Sequence, residues 1–285
     1  MEKKLFYLGV GCQKGGTTWL HSQLNASQFV RKGFSKEYHV FDALYVEECS
    51  AFLTNKIDKL KQQIQSGVLM EKQDNLLKLL EFCRNPQSYF DYFDHLWSKS
   101  DKTIAVGDIT PTYCALPVAG FRAIKQGLEN RGFTVKIIFI MRDPIERCWS
   151  MLRMHREDVE HKNPAKTLAK EQTELASYYN SRQCELRTRY EQTVKNLEAV
   201  FDSDNIYYGI YETLFEKETL QQLQDFLELP DFNPDINKKV NVTKKHVDTL
   251  SVELMSDIAR FYRETYQFCE DRFGTAKQWS GYQYL

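Results

Sequence analysis

The 285-residue sequence has no excess of either charge: Lys+Arg number 38 and Asp+Glu 39, for a formal net charge of -1. A balanced chain has no overall electrostatic footprint for nucleic acid or an anionic membrane, so any anion site must be local. Long apolar runs are missing too. The run that starts at Leu5 is broken at once by Gly9, Gly11 and Gln13. It is too short to span a bilayer and has no cleavage pattern, so no membrane anchor is expected. There is no CxxC pair. Cys12, Cys49, Cys83, Cys114, Cys148, Cys184 and Cys269 are odd in number and scattered. That pattern lacks metal-ligand spacing and argues against a disulfide framework. Reduced thiols, a cytoplasmic location and no metal are the expectation. Repeats, low-complexity tracts and Pro/Gly/Ser linkers are also absent, so a single domain over 1–285 is expected.

What the chain does have is alternation. Leu5 to Gly11 (LFYLGVG) predicts a short buried strand, and Thr17 to Leu24 a helix. Phe29 to Phe34 suggests a second short strand. From Tyr45 to about Lys99 the apolar spacing is helical, a helical insertion over about 45–100 without sustained heptads. Thr103 to Asp108 predicts a strand, as does Asn205 to Tyr211. Thr134 to Met141 (TVKIIFIM) is apolar on both faces, which suits the centre of a parallel sheet. After it, Asp143 is placed to cap a helix with Pro144 in its first turn. Helices are expected over 165–201, 216–228 and 249–272. The expected fold is α/β, a central, mostly parallel sheet of about 4–5 strands flanked by helices.

Between the first strand and the first helix lies Gly11-Cys-Gln-Lys14-Gly15-Gly16-Thr17-Thr18-Trp19. Glycines let successive backbone N–H groups turn inward, and the helix N-terminus adds positive potential, so such a loop cradles phosphate. Thr17 and Thr18 supply hydroxyls and Lys14 a full charge. The loop departs from the Walker A pattern, in which Lys directly follows the last glycine. Here Thr17 follows Gly16. The alternative is a glycine-rich turn that serves packing alone.

Arg142 closes the Thr134–Met141 strand, and Ser150 follows eight residues on. An arginine and a hydroxyl at the carboxyl end of a parallel strand suit a second phosphate. The alternative is a surface ion pair of Arg142 with Asp143 or Glu146. KGGTTWL at 14–20 resembles the 5′-phosphosulfate loop of sulfotransferases that use 3′-phosphoadenosine 5′-phosphosulfate (PAPS), and RDPIERCWS at 142–150 resembles their 3′-phosphate motif. The resemblance implies a P-loop NTPase-like fold and a PAPS co-substrate released as the bisphosphate PAP. It implies that Lys14, Gly15, Gly16, Thr17 and Thr18 hold the 5′ end, that Arg142 and Ser150 hold the 3′-phosphate, and that Trp19 stacks the adenine. Tyr-Glu-Thr at 211–213, Phe226-Leu227 and Val240-Asn241 fit the family more loosely.

Ser35-Lys36-Glu37-Tyr38-His39-Val40-Phe41-Asp42 is similar to the Glu-x-His-x-Phe-Asp stretch of heparan-type glucosaminyl sulfotransferases. That similarity implies Glu37 as general base, supported by His39 and Asp42. His39 is the alternative base, since its intrinsic pKa lies nearer neutrality. Lys36 beside Glu37 would lower the basicity of the carboxylate. The bland reading is a solvated Lys36–Glu37 pair with His39 packed under Phe41. Asp108-Ile109-Thr110-Pro111-Thr112-Tyr113 has Ile109 where the heparan-type enzymes carry a lysine. Asp108 either orients Lys14 or the acceptor, or caps the turn. Asp42, Asp108 and Tyr113 are the acceptor-side candidates.

The tract 151–189, charged at Arg153, His155, Arg156, Glu157, Asp158, Glu160, His161 and Lys162, is either a lid or a solvated face. Tyr178, Tyr179 and Tyr190 are candidates to line the acceptor site, and Arg187 and Arg189 to face the nucleotide. The acceptor is expected to be a small or mid-sized hydroxylated molecule, with no nucleic-acid partner; the oligomeric state is left open. A small-molecule kinase and a non-catalytic nucleotide-binding module are the competing readings.

Overall fold

The computed structural model describes residues 4–67, 70–154, 164–236 and 250–285. Val240, Asn241 and the charged stretch from His155 to Lys162 lie outside them. The first half runs β1 (Leu5–Gly11), α1 (Thr17–Leu24), α2 (Val40–Tyr45), α3 (Ala51–Gln65), α4 (Met70–Arg84), α5 (Pro86–Trp97), β2 (Ala105–Ile109) and α6 (Val118–Glu129). The second half runs β3 (Thr134–Met141), α7 (Pro144–Met154), α8 (Pro164–Tyr178), α9 (Arg182–Glu185) and α10 (Tyr190–Glu198). It continues with β4 (Ile206–Ile210), α11 (Lys217–Leu227), α12 (Val252–Phe261) and α13 (Arg263–Phe273).

The 4 strands form one parallel sheet in the order β2-β1-β3-β4. The α/β architecture expected from the sequence is therefore the one observed. All seven residues of β1 are buried, as a central parallel strand requires. Side chains alternate across the pleat. Phe6, Leu8 and Val10 meet Ile137, Phe139 and Met141 on one face, while Leu5 and Tyr7 join Ile138 and Ile140 on the other. The first face is covered by helices including α5, α6, α7 and α10, the second by α1 and α11. A side chain such as Phe6, at 0% exposure, contributes about 1.5–3 kcal/mol by leaving water. The strand expected near Phe29–Phe34 is reduced to one bridge, Val30 to Ala105. Just beyond it, Gly33 packs against the Tyr38 and Tyr92 hydroxyls, which leave no room there for a Cβ.

The start of α7 is held as the sequence anticipates. Asp143 Oδ1 accepts from the backbone N of Ile145 at 2.9 Å, and Pro144 takes the first helical position. The rest of that carboxylate is used by the C-terminal segment: Tyr266 Oη donates at 2.7 Å, Ser280 Oγ at 3.0 Å and Gly281 N at 2.7 Å. Asp143 is thus turned inward, and Arg142 is left to the opposite side.

Candidate active site

Because the sheet is parallel, the carboxyl ends of all four strands lie on one edge, where ligands bind in folds of this kind. β1 delivers the loop 12–16, β2 the turn after Ile109, β3 Arg142, and β4 Tyr211. In the β1 loop the backbone reverses through Lys14 (φ 68) and Gly16 (φ 81), both left-handed. Gly16 also stands where a Cβ would come within 2.8 Å of Leu214. These two constraints select glycine there, and α1 begins directly after it.

The two sequence-predicted anion loops are brought together. Arg142 Nη1 donates to the Lys14 carbonyl at 2.9 Å. The guanidinium lies 4.4 Å from the Tyr211 ring centroid, and a Cβ on Gly16 would sit 3.3 Å from that same ring. Tyr211 is therefore wedged between the loops. Arg142 Nη2 pairs with Glu146 at 3.2 Å, the ion pair that the alternative reading anticipated, while its buried Nε has no hydrogen-bond partner. A buried orphan donor beside a curled, glycine-rich loop fits an incoming anion. Ser150 is 6% exposed, roughly 9 Å along α7 from Pro144 at the helical rise.

Trp19 stands differently from what the resemblance implies. It is 3% exposed, its Nε1 donates to the Asp235 carbonyl at 3.1 Å, and Phe215 meets its ring edge-on at 5.1 Å. Stacking on an adenine would require the chain around Asp235 to move aside.

The acceptor-side segment 35–42 is pinned to the β2 end by its backbone. Ile109 N donates to the Lys36 carbonyl at 3.1 Å, and Tyr38 N donates to Thr110 Oγ1 at 2.9 Å. Thr110 in turn donates to Asp108 Oδ1 at 2.6 Å, and Tyr89 Oη to Asp108 Oδ2 at 3.0 Å. Burial pushes the Asp108 carboxyl up to about 7, against the hydrogen bonds from Thr110, Tyr89 and Tyr113 that lower it. Asp108 and Tyr113 are 0% exposed and Asp42 1%, so none of the three presents a surface to an acceptor; they hold the segment from beneath. Thr110→Val strips Tyr38 N and Asp108 of a buried partner and is expected to cost about 1–3 kcal/mol. Urea unfolding measures this, and an unchanged midpoint would contradict the role.

Four charged groups then form a row. Asp42 Oδ2 bonds His39 Nδ1 at 2.7 Å, His39 Nε2 bonds Glu37 Oε2 at 3.1 Å, and Lys36 Nζ donates to Glu37 Oε1 at 2.7 Å. Lys36 Nζ also donates to Thr17 Oγ1 and Thr18 Oγ1, each at 3.2 Å. Lys36 is therefore no solvated surface lysine; it reaches the threonines that follow the glycine-rich loop, a placement that sequence reasoning missed. The only available signal was its register beside Ile109, and that needs the tertiary fold. Nor does His39 lie under Phe41. Its ring lies 4.9 Å from Phe52 at the start of α3.

Burial disfavours the charged form of His39, but the bonds to Asp42 and Glu37 outweigh it and raise the ring to about 9. Burial likewise raises Glu37, yet the His39 bond and the Lys36 charge bring it down to about 2. His39 is thus a cation at neutral pH with both nitrogens engaged, and Glu37 is its ionised partner. The stability consequence has a definite sign. A histidine raised from 6.5 to about 9 stabilises the fold fully below 6.5 and loses that contribution as pH rises through 9. Wild type is therefore expected to lose stability between these values, and His39→Gln to lose less. Urea unfolding across that window is the check; equal slopes would contradict the array.

Among the remaining candidates, Tyr190 is fully buried and donates to the Arg142 carbonyl at 2.7 Å, so it braces the arginine. Tyr178 and Tyr179 pack against the core. Arg189 stands among Glu185, Glu191 and Glu264 at 3.2, 3.7 and 3.6 Å, and Arg187 donates to the Gln183 carbonyl. Among the described residues, no group of three or more His, Cys, Asp or Glu is placed to hold a metal ion. No helix among them is long and apolar enough to cross a membrane.

The sulfotransferase domain family matches residues 7–267. Over 95% of this chain and 96% of its own, a sulfotransferase from Alicyclobacillus acidocaldarius superposes with a TM-score of 0.58 at 18% identity. A sulfotransferase domain from the curacin biosynthetic pathway gives 0.42 at 16% identity over 83% and 77% of the two chains. The sulfotransferase domain of the Synechococcus PCC 7002 olefin synthase gives 0.42 at 14% over 92% and 96%. No curated protein matches the chain. With the glycine-rich loop at 14–20, the Arg142 segment and three of the four strands wholly inside the matched span, this chain belongs to the sulfotransferase family.

Proposed function

We propose that the protein transfers a sulfuryl group from PAPS to a hydroxyl, or an amine, of a small or mid-sized acceptor, with residues 1–285 as one catalytic unit. The observation that carries this reading is the contact of Arg142 Nη1 with the Lys14 carbonyl, which sets the two anion loops side by side. Lys14, Gly15, Gly16, Thr17 and Thr18 would take the 5′-phosphosulfate, and Arg142 with Ser150 the 3′-phosphate. Trp19 would meet the adenine only with Asp235 displaced.

The acceptor oxygen attacks sulfur in line, forming the new S–O bond as the bond from sulfur to the bridging phosphate oxygen breaks. Lys14, the two threonine hydroxyls and the N-terminus of α1 stabilise the charge that returns to the 5′-phosphate of PAP. Glu37 takes the acceptor proton. It is the most exposed member of its row, with its side chain 36% exposed against 23% for His39 and 2% for Asp42. His39 holds the carboxylate in place, and Asp42 holds His39.

Thermal shift separates this from a kinase. PAP at about 100 times its dissociation constant should add about 2.7 kcal/mol of stability, whereas ATP with Mg²⁺ should add little. A shift with ATP and none with PAP would overturn the proposal.

A further inference from the structure

Lys36 makes three contacts that belong to two different jobs. Its ammonium has three protons, and three acceptors take them: Thr17 Oγ1 and Thr18 Oγ1 at 3.2 Å and Glu37 Oε1 at 2.7 Å. Its side chain is 18% exposed. The backbone on either side is fixed, through the Lys36 carbonyl to Ile109 N and through Tyr38 N to Thr110. Any rearrangement here is therefore one of side chains.

Resting on the function proposed above, we propose that Lys36 is a cation shared between donor and base: it sits on Glu37 until the anionic end of the donor reaches Thr17 and Thr18, then passes to that anion and frees the Glu37 carboxylate to accept the acceptor's proton. The threonine hydroxyls accept from Lys36 and can still donate to an anion oxygen, so the donor arrives alongside the ammonium. A phosphate or sulfate bearing several charges competes well with a single carboxylate for it. Glu37 with two cations on it is a weak base; with His39 alone it is a stronger one. The chain then couples the two substrates. The base is blunted while no donor is bound and sharpened when one is.

Among the described residues, the charged and titratable groups facing Glu37 are Lys36, His39 with Asp42 behind it, and His21 on α1. His21 is lowered to about 4 by burial and then by the Lys36 charge, so it stays neutral through the range that matters.

The test is a ¹³C NMR titration of the Glu37 carboxyl, with and without PAP, in wild type, Lys36→Gln and Lys36→Arg. The field of PAP alone raises Glu37 in every variant. Transfer of Lys36 adds a further rise only where a cation can leave, so the PAP-induced rise should be at least about one pH unit larger in wild type than in Lys36→Gln. Lys36→Arg should restore part of the difference. PAP should also bind Lys36→Gln about 10- to 100-fold more weakly, the effect of one charge-assisted contact. An equal rise in wild type and Lys36→Gln overturns the transfer while leaving the sulfotransferase reading standing. Failure of wild type to bind PAP overturns both. Should Lys36→Gln bind PAP too weakly to saturate, the donor-free titration decides: Glu37 must lie higher in the variant than in wild type, and an unchanged value refutes the idea.

Discussion

Glu37→Gln is expected to lower turnover by about 10²–10⁴-fold, the usual contribution of a positioned base, while PAP still binds. Glutamine keeps the size of the side chain, but its one carbonyl oxygen replaces two acceptors, so it keeps the contact with Lys36 Nζ or the one with His39 Nε2 and not both. What it cannot do is take a proton. The rival base, His39, predicts the reverse: a mild effect at Glu37 and a severe one at His39. Its two ring nitrogens, bonded to Asp42 at 2.7 Å and Glu37 at 3.1 Å, argue against it, because a ring held as a cation has no lone pair to offer. Steady-state rates for Glu37→Gln and His39→Gln against an identified acceptor decide between them. A Glu37→Gln enzyme within about tenfold of wild type would remove Glu37 from the base role.

Arg142→Ala is expected to weaken PAP binding by about 100-fold, measured by titration calorimetry. The arginine does more than present a charge. It ties the Lys14 carbonyl at 2.9 Å, rests on Tyr211 at 4.4 Å and balances Glu146 at 3.2 Å. Its loss loosens the phosphate loop and leaves Glu146 with Arg153 at 3.9 Å, so a carboxylate faces the incoming phosphate with less compensation. Arg142→Lys keeps the charge but not the planar fork, and should recover only part of the affinity. The start of α7 should stay formed, since it is held by Asp143 and not by Arg142. PAP affinity within about threefold of wild type in Arg142→Ala would break the donor-site assignment.

Some parts of this protein are written locally. β1 and β3 show as apolar runs because a central parallel strand is buried on both faces. The curl at Lys14 and Gly16 shows because few residues tolerate a left-handed backbone next to a packed side chain. The cap of α7 shows because Asp-Pro has one favourable use at a helix start. A run of four to eight residues is enough to state each of these, so no distant partner is needed to recognise them.

The roles of single side chains were decided elsewhere. Lys36 in the sequence is the neighbour of Glu37; in the fold it is also the neighbour of Thr17 and Thr18, because β2 and the segment 36–38 share a backbone register that no local pattern announces. Asp108 has the sequence context of a site residue and proves to be a buried support. Trp19 carries the family spacing yet lies beneath Asp235, more than two hundred positions away. The chain by itself determined the central strands, the glycine-rich turn after the first of them and the start of α7, since those follow from propensity, periodicity and steric limits over a few residues. Only the tertiary structure decided which cation meets which carboxylate, because charge interactions fall off with distance through space and take no account of separation along the chain.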